Sequence, residues 1–146
     1  MHNSWSRRRS GLSLPEMVLV MVIIGLTSLI GLRQLNLYLD RIATRDAVRA
    51  AGGVVERARD EAVALHSLVS VRIDTTTATL ELLSRGLALG KMALGDIHGV
   101  TLSTTRDSIT FDVRGLGYGA ANLTLVARRG RAVDTLVVSR LGRVRY

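Results

Sequence analysis

RRRSGLSLPEMVLVMVIIGLTSLIGL, Arg7 to Leu32, is the stretch that decides how the rest of the chain is read. It opens on three arginines, passes a glycine and turns apolar. From Met17 to Leu32, 16 residues carry no charge. That falls short of the roughly 20 that a bilayer-spanning helix needs. Adding Leu12 to Pro15 supplies the length and places Glu16 inside the apolar segment. Arginines before the run and none inside it predict a cytoplasmic N-terminus, because basic residues are retained on that side.

Beyond Leu32 the helical signal continues without a proline or a loop cluster as far as His66. Val48, Ala51, Val55, Ala58, Ala62 and Leu65 recur at spacings of three and four, with Arg49, Glu56, Arg57, Arg59, Asp60 and Glu61 between them. This is one apolar stripe on an otherwise charged helix. Only the pair Gly52-Gly53 weakens it. The spacing predicts one helix over 12–66, apolar all round in its first half and amphipathic in its second. Such a helix leaves a membrane and then packs on a domain.

After Ser67 the period changes to two. VSVRID, the turn TTT and ATLELL predict a hairpin within 68–83. Residues 84–99 are glycine-rich and weakly patterned. Further strands are expected at 99–103, 108–113 and 122–127, then a turn at ARRGRA, a strand at DTLVVS and a last strand or tail at LGRVRY. The expected fold class is α+β, a long N-terminal helix packed on a small antiparallel β-sheet head.

The net charge of +8 is unevenly placed. Residues 1–11 hold three arginines and no acid. Residues 114–146 hold seven arginines and only Asp134, a balance of 7 − 1 = +6. The first block fits a topology signal, and the second offers a surface to an anionic partner. The absence of cysteine excludes a disulfide framework and a cysteine-based metal or redox site. His2, His66 and His98 are isolated, no catalytic set is present, and no cofactor is expected. GLGYG, Gly115 to Gly119, lacks the strand-to-helix frame that gives a phosphate loop its meaning, and reads as a turn.

Arg7-Arg8-Arg9-Ser10-Gly11 followed by Leu12-Ser13-Leu14-Pro15-Glu16-Met17 resembles the type IV prepilin signal. In that family a membrane peptidase cuts after the glycine and often methylates the new N-terminus. The resemblance implies cleavage between Gly11 and Leu12, methylation of Leu12, and Glu16 as the fifth residue of the mature chain. In a filament, the family pairs this glutamate with the terminal amine of a neighbouring subunit, here that of Leu12. The physical chemistry agrees. Glycine gives a peptidase backbone access without bulk. A lone carboxylate in hydrocarbon costs a few kcal/mol, so Glu16 needs a partner. Pro15 is tolerated in a first helical turn. A secretory signal would be followed by a small-residue cleavage site, and RQLNLYLDR after Leu32 offers none. A twin-arginine signal at Arg8-Arg9 meets the same objection, and a plain signal anchor has no use for Glu16.

ARDEAV at Ala58 to Val63, SITFDVRGLGYG and NLTLVARRGRAVDTLVVSRLGRVRY resemble the corresponding parts of GspH/FimT-type minor pilins and pseudopilins. The sequence departs from many pilins in having no proline near Arg33. The implied organisation is a cleaved leader at 1–11, a transmembrane part at 12–32, an amphipathic part at 33–66 and a β-rich head at 67–146. The implied location is single-pass in the inner membrane, with the N-terminus cytoplasmic and the head extracytoplasmic.

Two functions from different classes follow. One is structural: a minor pseudopilin of type II secretion or a minor type IV pilin, with prepilin peptidase, other pilins and the inner membrane as partners. The other is DNA capture, because Gly142-Arg143-Val144-Arg145 matches a GRxR pattern associated with competence pilins. Its contacts would be Arg143 and Arg145, which project from one face if that segment is a strand, assisted by Arg140, Arg128, Arg129 and Arg131. Related secretion pseudopilins carry similar endings, and so a closing strand with solvent-facing arginines is the plainer reading of GRVR.

Overall fold

The computed structural model of the chain describes residues 13–119 and 122–146. It falls into two units that divide after Asn36. The leader, Gly11 and Leu12 lie outside the described residues.

Helix α1, Leu14–Ala64, runs unbroken for 51 residues, past Arg33, where no proline interrupts it. An 18-residue stretch of it has a mean hydropathy of 2.1 and no buried residue, and the helix is long and apolar enough to cross a membrane. Pro15 lies in the first turn, where its missing N–H has no helical acceptor to lose. The helix ends without glycine. Ser67 N–H donates to Ala62 O and His66 N–H to Val63 O, the paired bonds of a Schellman closure, with His66 at φ 46° in the left-handed place. Leu65 lies beyond the last helical residue and is 46% exposed. The expectation that it continues the buried stripe is therefore corrected: the helix stops one residue before its turn to face inward.

In the second unit, Leu37–Tyr146, the strands among the described residues form two four-stranded sheets. β1 (Val69–Asp74), β2 (Thr79–Ser84), β3 (Leu87–Ala93) and β5 (Ser108–Phe111) are ordered β3-β2-β1-β5. β4 (Thr101–Thr104), β6 (Leu123–Arg129), β7 (Ala132–Val138) and β8 (Val144–Arg145) are ordered β4-β6-β7-β8. Every pairing is antiparallel. Short α2, Leu94–His98, links the two sheets between β3 and β4.

The α+β expectation holds, with the strands shared between two small sheets. Residues 84–99, glycine-rich and weakly patterned in sequence, contain β3 and α2. β3 is an edge strand with Leu87 and Leu89 exposed, and its pairing shifts register at Leu82/Leu83. An edge strand with a bulge has no apolar alternation for a sequence reading to find.

One core joins the helix to both sheets. Val48, Ala51, Val55, Ala58 and Ala62 are each at most 1% exposed, and they cluster with Val69, Val71, Leu80, Phe111, Leu125 and Leu136. Small alanines on the helix let the sheets approach closely, and the strands supply the volume. Gly52 lies on the same face, under the Tyr146 hydroxyl of the chain end.

Candidate assembly helix and nucleic-acid interface

Glu16 sits in the first turn of α1, where the helix dipole favours a carboxylate. Ser13 N–H donates to its Oε2 at a long 3.4 Å. The apolar residues around it, Leu14, Met17, Val18 and Leu19, are each more than half exposed. Further along, Thr27 Oγ donates to Ile23 O at 2.9 Å or Ile24 O at 3.0 Å, which satisfies its hydroxyl within the helix. Residues 14–32 of α1 therefore present apolar surface with one charge, Glu16, near the start.

The basic C-terminal third is built on hairpins. The β6–β7 loop is Gly130-Arg131, between the paired residues Arg129 and Ala132. Gly130 has φ 54°, the positive angle required at the first place of such a two-residue loop. Arg128 and Arg131 are exposed here. Arg129 is engaged within the fold: its Nε pairs with Asp40 Oδ1 at 3.1 Å, and its Nη1 donates to His98 O at 2.6 Å. It thus ties α1 and the end of α2 to β6. The sequence grouped all three arginines alike, because the run itself does not say which one meets Asp40, 89 positions earlier (129 − 40).

The GRVR segment closes the other end of β7. Ser139 N–H donates to Arg143 O at 2.9 Å, Gly142 N–H to Ser139 O at 2.9 Å, and Arg143 N–H to Ser139 Oγ at 3.2 Å. The three-residue loop Arg140-Leu141-Gly142, with Gly142 at φ 72°, is a tight turn completed by a left-handed glycine. Gly142 is buried: a Cβ there would stand 3.1 Å from Phe111 Cε1 and 3.7 Å from Arg59 Cδ. β8 then pairs with β7, Val144 opposite Val138 and Arg145 opposite Val137. Val144 packs on the core, while Arg143 and Arg145 are exposed, and Arg140 is exposed in the loop. Arg143 lines a shallow groove together with Arg59, Glu56 and Asp60 of α1, two cations against two acids.

A second groove lies beside the β6–β7 loop. Arg41 and Arg45, four residues apart on one face of α1, line it with Arg131 and Asp134. Of these arginines the sequence motifs point to Arg131 and to neither helix arginine. Their i, i+4 spacing was the available signal.

Asp112 organises the loop after β5. Its Oδ1 accepts the N–H groups of Arg114 and Leu116, both at 2.9 Å, and its Oδ2 accepts Arg114 Nε and Nη2, both at 3.1 Å. The Leu116 N–H above all holds its carboxyl below the usual value of 3.8. Asp74 is lowered likewise, chiefly by the Thr77 hydroxyl, in the β1–β2 turn. Both carboxylates serve turns. Among the described residues no group of three or more histidines and acids is placed to hold a metal ion.

No protein-family model matches the sequence, and no curated protein matches it. Solved structures do. The type IV minor pilin FimU of Pseudomonas aeruginosa superposes with a TM-score of 0.61 at 19% identity, over 74% of this chain and 90% of that one. The minor pseudopilin EpsH from the type 2 secretion system of Vibrio cholerae gives 0.57 at 16% identity, over 70% and 94%. The chain has the pilin-like fold of these two proteins.

Proposed function

We propose that this chain is a minor pilin or minor pseudopilin, a non-enzymatic structural subunit of a type IV pilus or a type II secretion pseudopilus. The observation that carries the proposal is a helix whose apolar first half holds one carboxylate near its start and whose second half builds a pilin-like head.

In the proposed mechanism, 1–11 is a leader removed by prepilin peptidase between Gly11 and Leu12, with Leu12 methylated afterwards. Residues 12–32 hold the subunit in the inner membrane, with the N-terminus cytoplasmic, and the head lies outside the cytoplasm. Assembly moves the apolar helix from lipid to the company of other pilin helices. There Glu16 gains the α-amino group of a neighbouring Leu12, an ion pair that hydrocarbon strengthens because no water screens it.

Replacing Glu16 with alanine should leave membrane insertion intact, since a charge is removed from the apolar segment. It should reduce co-purification with other pilin subunits. Undiminished co-purification would contradict the pairing.

A second reading, capture of extracellular DNA, is supported by the exposure of Arg143 and Arg145 on either side of the inward-facing Val144. Contacts of that kind are to phosphates, insensitive to sequence and steeply dependent on salt. Duplex DNA binding that Arg143→Gln with Arg145→Gln weakens more than Arg85→Gln with Arg106→Gln would favour it. Equal losses would mean generic charge attraction.

A further inference from the structure

We propose that the groove between Arg41 and Arg45 of α1 and Arg131 of the β6–β7 loop is a second phosphate-binding site, one that takes the backbone of duplex DNA. The inference rests on the DNA-capture reading and concerns residues that GRVR does not include.

The groove by Arg143 is electrically balanced: Arg59 and Arg143 face Glu56 and Asp60, 2 − 2 = 0. The groove by Arg131 has three arginines and one acid, 3 − 1 = +2. Asp134, its acid, accepts the N–H of Thr135 at 2.9 Å. The other residues that line it, Thr44, Ala132 and Val133, add no charge. Among the described residues, none of the four ion pairs involves Arg41, Arg45 or Arg131. Asp40, the nearest acid in sequence to Arg41, is held by Arg129.

Arg41 and Arg45 repel each other at this spacing, and Arg131 brings a third positive charge from another element. An anion between them relieves that repulsion. A guanidinium presents a planar fork of donors that fits phosphate oxygens two at a time. A polyanion suits the place better than a single ion, because exposed Arg128 flanks the same loop and exposed Arg49 continues the Arg41–Arg45 face one turn along. From Arg45 to Glu56, at the edge of the GRVR groove, the helix rises roughly 16 Å at 1.5 Å per residue. The two places are thus distinct contacts, and one duplex is long enough to touch both.

The test is a titration of duplex DNA with the full chain in zwitterionic detergent at several salt concentrations. The triple substitution Arg41→Gln, Arg45→Gln, Arg131→Gln should weaken binding and lower the slope of log affinity against log salt by about 2.7, three contacts at about 0.9 each. The matching lysine triple, which keeps the charges, should retain most of that slope. Arg143→Gln with Arg145→Gln should leave the groove's share of the slope in place. An unchanged slope in the glutamine triple, with loss only in the Arg143/Arg145 pair, would overturn the second site and leave the DNA reading standing. Absence of binding by the unsubstituted chain at low salt would overturn both. Competition by polyglutamate as strong as by DNA would assign the groove to an acidic protein surface and overturn the proposal.

Discussion

A methyl group at Gly142 would stand 3.1 Å from Phe111 Cε1 on a backbone held at φ 72°, a region that side-chain-bearing residues avoid. Gly142→Ala should therefore destabilise the head by about 1–2 kcal/mol, read as a lower midpoint in urea. A motif match at GRVR places this glycine beside two arginines as though all three served recognition. The geometry gives it a separate task, closing the β7–β8 turn, so a loss of DNA binding in this variant is no measure of contact. Protonation tests two other single residues. Asp74 and Asp112 both have carboxyl groups held below 3.8 by turn hydrogen bonds in the folded chain. Their contribution is thus present above 3.8 and is lost as the pH falls through their lowered values. Asp74→Asn with Asp112→Asn should flatten the decline of stability with acid in that range. An acid limb of unchanged steepness would assign it to other groups.

At the scale of elements, α1 is the part the sequence displayed most openly. The stripe Val48, Val55, Ala62 was legible because helix periodicity and burial coincide there. Leu65 was misplaced because the stop at Ala64 rests on His66 adopting a left-handed backbone, for which no glycine gave the signal. β3 and α2 escaped for a related reason: their pairing depends on neighbours, and the residues themselves alternate poorly. Val55 tests the helix–sheet contact. At 1% exposure, an aspartate there is an unpaired buried charge, and Val55→Asp should cost about 3 kcal/mol or more. Gly53, two residues earlier and exposed on the other side of the helix, has nothing within 4 Å of a Cβ, so Gly53→Ala should stabilise by about 1 kcal/mol through helix propensity. Thermal melts of the two variants in opposite directions would support the packing. An unchanged midpoint for Val55→Asp would place that face in solvent or against a partner.

For the whole molecule, the division into an apolar helix and a β-rich head was readable from where charge stops and where the period changes from 3.6 to two. The grouping of strands into two sheets was not, since strand order depends on long-range pairing such as Val71 with Ile109. The candidate sites divide in the same way. Glu16 stands out in the sequence because a charge in an apolar run is conspicuous by itself, and the pairing assigned to it is a proposal. The arginine groove was not, because it joins residues 86 positions apart (131 − 45), and Arg129 showed only in three dimensions that its charge belongs to Asp40. The central claim, that this is a processed pilin-like subunit, is tested most directly by the intact mass of the chain extracted from membranes that contain prepilin peptidase. The account predicts a chain of 146 − 11 = 135 residues beginning at Leu12, with or without one added methyl group, and a full-length chain when Gly11 is replaced by a bulky residue. A mature N-terminus at any other position would contradict it.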